Sequence, residues 1–186
     1  CDFWNQAEYY LDLAKSLDLN AFRVSTEWGR INPQEGTWNT QALRRYLEII
    51  EGCRERGMEP FVTLWHFSLP RWISHQGGWA NPKTVGFFIA YVEKVLEVLG
   101  PHVRYWLTFN EPSAYLAFGY IRGTWPPGIK RGIWTAQKAR ANLLRAHRRA
   151  FRLIKRGNAN ASVGFAANIS FSEPYRKWHP FDVAVT

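Results

Sequence analysis

The stretch "RYWLTFNEPSAY" sets an amide, a carboxylic acid and a proline in direct succession: Asn110, Glu111 and Pro112. Glu111 closes an apolar run. Proline disfavours the helical region for the residue before it, so Glu111 is expected to be extended, with its side chain aimed reproducibly. A carboxyl group set among aromatic rings gives up its charged form more readily. Such a group can protonate a leaving oxygen and later take a proton from water. Asn110 adds two donors and one acceptor beside it. The same residues also fit plain architecture, a glutamate at a strand end held by a local salt bridge.

The elements that would position Glu111 follow from periodicity. Tyr10, Leu13, Ala14 and Leu17 fall on one helical face, and "AFRVSTEW" (21–28) reads as a strand. Leu43, Tyr46, Leu47 and Ile50 mark a second helix, closed near Gly57. "PFVTLWH" (60–66) is the next strand. Asn81-Pro82 starts a helix carried by Val85, Phe88, Ile89, Val92 and Leu96 to Gly100. "VRYWLTF" (103–109) is a strand, Thr135 caps a helix running to about Arg156, and "SVGFAANI" (162–169) is a strand.

Helices between consecutive apolar strands imply a parallel sheet within one domain. No strand is followed by the glycine-rich turn of a dinucleotide-binding sheet. The strands end instead in Glu27-Trp28, Trp65-His66-Phe67, Asn110-Glu111 and Asn168. Polar and aromatic groups at successive strand ends suit a (β/α)8 TIM barrel, whose active site is built there. About four such strands fit in this chain, a partial barrel.

The 186 residues suffice for a real core, and no apolar run reaches the roughly 18 residues of a membrane span. Ten tryptophans and 16% aromatic residues fit a large core or a cleft that stacks sugar rings. The formal charge of +9 is concentrated in "KARANLLRAHRRAFRLIKR" (138–156). Leu143, Ala150, Phe151 and Ile154 make that stretch an ordinary amphipathic helix with a solvated basic face, so neither nucleic acid nor membrane is expected as a partner. Cys1 and Cys53 are too few for a disulfide framework or a metal site and are expected as buried thiols, in keeping with a cytoplasmic protein.

"TFNEP" (108–112) resembles the acid/base motif shared by a clan of (β/α)8 glycoside hydrolases. Three further segments narrow the resemblance to glycoside hydrolase family 1, of the β-glucosidase type. "FRVSTEWGRINPQEG" (22–36) is similar to that family's second-strand segment. "VTLWHFSLPRW" (62–72) with "GGWANP" (77–82) is similar to its third-strand segment and following loop. "NLLRAHRRAFR" (142–152) is similar to the helix after its fourth strand.

The resemblance implies a retaining β-glycosidase of carbohydrate metabolism acting on a small carbohydrate substrate, without metal or organic cofactor. It implies Glu111 as acid/base and Asn110 as the group that holds the sugar 2-hydroxyl. It implies His66 on a sugar hydroxyl, Arg23 beside the nucleophile and Asn168 near the site. It implies Trp106 as packing near Glu111. Phe67 stands where the family often has tryptophan, so stacking is kept and an N–H donor is lost. The alternative is a non-catalytic sugar-binding or scaffold protein derived from the same barrel. Retention of configuration needs two carboxylates roughly 5–5.5 Å apart. No T-E-N-G-like nucleophile motif occurs in these 186 residues. The chain is therefore expected to cover roughly the second to fifth βα units, to need the remainder of the barrel and to be inactive alone.

Overall fold

The computed structural model describes residues 2–130, 132–169 and 173–181. Strands β1 (Ala21–Ser25), β2 (Glu59–Thr63), β3 (Tyr105–Asn110) and β4 (Ser162–Ala166) form one sheet in the order β1-β2-β3-β4. All pairings are parallel. A doubly wound sheet reverses its strand order at a switch point. Here the order follows the chain without reversal, as in the wall of a (β/α)8 barrel.

The two faces of the sheet differ. Val24, Val62 and Trp106 share the row that turns towards the helices, and all three are buried. The opposite row runs Arg23, Phe61, Tyr105, Ser162. Phe61 and Tyr105 stack there at 4.4 Å yet remain half-exposed, and Arg23 is exposed. Above them lie Ser25, Thr63, Leu107 and Gly164.

Helices α1 (Ala7–Ser16), α3 (Thr40–Glu55), α5 (Lys83–Leu99) and α7 (Ile133–Gly157) cover the outer face side by side. Short helices α2 (Trp28–Ile31) and α4 (Arg71–His75) follow β1 and β2, and α6 (Pro112–Leu116) follows β3 directly. Asn39 caps α3 by accepting from the Ala42 N–H, and Asn81 accepts from the Lys83 N–H at the entry to α5. The core is aromatic. Trp28, Trp65, Trp79, Phe88, Tyr91 and Phe109 pack mostly edge to face, behind the carboxyl ends of the strands.

Some expectations need correction. On α1 the buried residues are Ala7, Leu11 and Ala14, while Leu13 and Leu17 are exposed. The helix docks by its small residues and Leu11 against Cys53 and Met58. Cys53 is buried, which pushes its thiol up to about 11. Helix α7 starts at Ile133, so Thr135 lies inside its first turn rather than capping it. Its buried stripe runs through Ala136, Ala139, Leu143, Ala146, Ala150 and Ile154, and Phe151 faces out. Small alanines let the helix approach α5 closely. Among the described residues, no helix is long and apolar enough to cross a membrane.

Helix α1 is tied to α3 by Arg45. Its guanidinium donates to both oxygens of Glu8 at 2.6 and 3.0 Å and to the Trp4 carbonyl at 3.2 Å. These bonds hold Glu8 at about 2, below its ordinary 4.5. A carboxyl lowered on folding adds stability above its unfolded value and loses it as pH falls through the folded one. Denaturant titrations between pH 5 and 2 should therefore show stability falling more steeply in the native protein than in Arg45→Met. The difference should stay below about 1 kcal/mol, because the pair is exposed.

Candidate active site

The upper end of β3 departs from strict alternation. Leu107 pairs with Gly164 and Asn110 with Ala166, so three steps on β3 match two on β4. The extra residue is a β-bulge. Its effect is visible in the contacts. Thr108 faces the helices, where its Oγ1 meets His147 Nδ1 at 2.8 Å. Phe109 also turns outward, onto Trp65, Trp79 and Phe88. Two consecutive outward residues return Asn110 to the inner rim. An unbulged strand would have pointed it at the helices.

Asn110 is buried, and its Oδ1 accepts from Arg23 Nη2 at 2.7 Å. Arg23 Nε donates to Thr63 Oγ1 at 2.8 Å. One guanidinium thus bridges β1, β2 and β3 across the inner face. With Oδ1 occupied, the amide N–H2 of Asn110 is the group left to meet a ligand.

Glu111 follows, and its backbone differs from expectation. It is left-handed, φ 39° and ψ 58°, not extended. The reason lies on both sides of it. The Glu111 N–H still pairs with the Ala166 carbonyl at 2.8 Å, while Pro112 already opens α6. The chain must turn from strand to helix within one residue. Proline excludes the right-handed region, and the left-handed region makes the turn. Phe67, just past β2, has φ 71° as well. Both strand ends therefore hold non-glycine residues in a conformation that costs on the order of 1–3 kcal/mol each.

The carboxylate of Glu111 is half-buried, and its Oε2 accepts from Asn168 Nδ2 at 3.4 Å. His66 stands at the end of β2, where its Nδ1 meets Ser25 Oγ at 2.8 Å. Partial burial pushes the His66 imidazole below its ordinary value, Arg23 adds to this, and Glu111 and Glu27 oppose it. The neutral ring keeps Nε2 on the side away from Ser25. The rim thus gathers Arg23, His66, Asn110, Glu111 and Asn168 from four strands. Trp106 is a buried packing residue, with Nε1 donating to the Val103 carbonyl at 3.1 Å. It lies five residues before Glu111, roughly 16 Å along the strand and so at the opposite end of the barrel wall.

Beside the rim opens a cleft of about 550 Å³. Phe67, Leu69, Tyr115 and Trp125 form its apolar walls. Trp125 packs on Phe67 at 5.0 Å and on Phe118 at 4.7 Å. The fold-back that brings Trp125 there depends on Gly123, at φ 68°. A Cβ on it would fall 2.6 Å from Lys130 Cγ and 3.1 Å from the Gly128 carbonyl oxygen. Glu27, at the end of β1, accepts from Ser68 Oγ at 2.8 and 2.9 Å and braces the loop that carries Phe67. Sequence reasoning missed Thr63, Ser25, Ser68 and Trp125. The polar alternation Arg23, Ser25 and Thr63 in otherwise apolar strands was the available signal for the first two. Nothing local announces the others. Among the described residues, no three His, Cys, Asp or Glu side chains converge to hold a metal ion.

The sequence profile of glycosyl hydrolase family 1 matches residues 1–185. β-Glucosidase A of Thermotoga maritima is 35% identical over 175 residues, which are 94% of this chain and 39% of that protein. A β-glycosidase from Pyrococcus horikoshii superposes with a TM-score of 0.89 at 38% identity, over 96% of this chain and 41% of its own. The Thermotoga maritima β-glucosidase in complex with glucoimidazole superposes with a TM-score of 0.93 at 34% identity, over 99% and 42%. The chain spans about two-fifths of the length of the relatives it matches.

The left-handed backbone at Glu111 leads to a stability test. Glycine adopts that conformation without the steric cost. Glu111→Gly should raise stability by about 1 kcal/mol in denaturant unfolding, whereas Glu111→Ala, which keeps a Cβ, should bring no such gain. Destabilisation by the glycine would mean that Glu111 is not strained.

Proposed function

Because the chain belongs to glycosyl hydrolase family 1, we propose that it is the acid/base part of a retaining β-glycosidase, within a single (β/α)8 catalytic domain. The substrate class is β-glucosides or related β-glycosides. The observation that carries this reading is the joined rim: Arg23 on Asn110, and Asn168 on Glu111, at the carboxyl ends of parallel strands.

In the proposed reaction Glu111 donates its proton to the glycosidic oxygen as the bond to the anomeric carbon breaks. A second carboxylate, from a segment beyond these four strands, attacks that carbon from the opposite face and holds the sugar covalently. Water then enters, the Glu111 carboxylate takes its proton, and the glycosyl group is released with its configuration retained. Asn110 donates its N–H2 to the sugar 2-hydroxyl, a contact that strengthens as charge develops on the ring. Arg23 fixes the Asn110 orientation and places positive charge on the inner face, which favours an ionised nucleophile. His66 offers Nε2 to a sugar hydroxyl, Phe67 stacks, and Asn168 steers the Glu111 carboxylate.

The test is Glu111→Gln in the complete enzyme. Hydrolysis of an unactivated disaccharide should fall by about 10²–10⁴-fold. An aryl glycoside with a good leaving group needs little acid help, so it should load the enzyme and stall, and azide should restore turnover. Full activity of Glu111→Gln on the disaccharide would remove Glu111 from this role.

A further inference from the structure

The cleft beside the rim holds a cation that the proposed reaction leaves unused. Arg71, the first residue of α4, lines it together with Phe67, Ser74, Trp125 and Pro126. No carboxylate lines the cleft. Among the described residues, no carboxylate lies within ion-pair distance of Arg71, although Arg45, Arg54, Arg56 and Lys94 each have one. A guanidinium keeps its charge at any working pH and presents a planar fork of donors suited to a carboxylate. Arg71 is itself exposed, so its charge is open to an incoming group and is screened by solvent.

Where the cleft lies decides which part of a substrate it meets. Arg23, Asn110, Glu111 and Asn168 lie on the rim and do not line the cleft, while His66 and Phe67 stand where rim and cleft meet. Tyr115, one turn beyond Glu111 on α6, does line it. A general acid protonates the leaving oxygen, so the leaving group departs on the acid's side. The cleft is therefore the space for the leaving group.

Resting on the glycosidase reading above, we propose that Arg71 is a specificity-determining residue. It favours leaving groups that combine an aromatic ring with an acidic substituent, such as aryl β-glycosides bearing a carboxylate. The ring lies against the wall that Phe67 and Trp125 form together, and the carboxylate meets the guanidinium.

The test uses the complete enzyme and two substrates of nearly equal shape, 4-carboxyphenyl and 4-carbamoylphenyl β-glucoside. The quantity read is the ratio of their kcat/KM values, so that differences in the leaving phenols cancel between enzymes. Arg71→Met should lower the carboxylate-to-carboxamide ratio by roughly two- to fivefold, and Arg71→Lys by less. In the native enzyme the ratio should shrink as ionic strength rises, because salt weakens an ion pair formed at an exposed residue. A ratio unmoved by both substitutions and by salt would overturn the role of Arg71. Failure of the native enzyme to hydrolyse either substrate would instead overturn the glycosidase reading beneath it.

Discussion

The single extra residue in β3 decides what the inner rim can do. Parallel pairing fixes the row Arg23, Phe61, Tyr105, Ser162 on the inner face and its neighbours on the helices. Strict alternation would bury Asn110 against those helices. The bulge between Leu107 and Asn110 absorbs Thr108 and Phe109 into the outer layer and returns Asn110 to the rim. Arg23 can then donate to it across two intervening strand spacings, and Glu111 lands at the point where the chain breaks into α6.

Both layers contribute to this arrangement. On the outside, the packed aromatic group around Trp79 and Phe109 resists movement of the strand ends. On the inside, the Arg23 hydrogen bonds couple three strands through polar groups. Of the three left-handed non-glycine residues, Asp18, Phe67 and Glu111, the last two carry their side chains from such fixed ends. Strain of that kind persists where the surrounding structure over-determines the backbone, and such residues tend to collect at functional sites.

The strands and long helices were legible because their signal is local. The apolar runs become strands whose outer row is buried, and the spacing Val85, Phe88, Ile89, Val92 becomes the core face of α5. Asn110 and Glu111 were legible as a pair because a polar pair ending an apolar strand stands out. The bulge was not, since Thr108 and Phe109 carry no residue signature of a register change. The Glu111 backbone was misread because proline excludes one region and leaves two, and only the pairing with Ala166 chooses between them. Trp125 was not legible as a neighbour of Phe67, because a fold-back through Gly123 brings it there. Leu13 and Leu17 show the limit of periodicity, which marks an apolar stripe without saying which part of it is covered.

The inner face described here is open: Arg23 and Ser162 are exposed, and Phe61, Tyr105 and Leu107 are only half-buried. On the proposed reading, one side of the cleft is formed by these four strands and the other must be supplied. A single acid group accounts for only about 10²–10⁴-fold of an enzyme's acceleration, and the rest needs the nucleophile and a closed, positioned sugar site. The most direct measurement is the hydrolysis of an aryl β-glucoside by the purified 186-residue chain, before and after addition of a separately expressed remainder of the barrel. Activity that emerges only on mixing, and is lost with Glu111→Gln, is the predicted result. Robust hydrolysis by the chain alone would contradict it, and would place the second carboxylate within these residues.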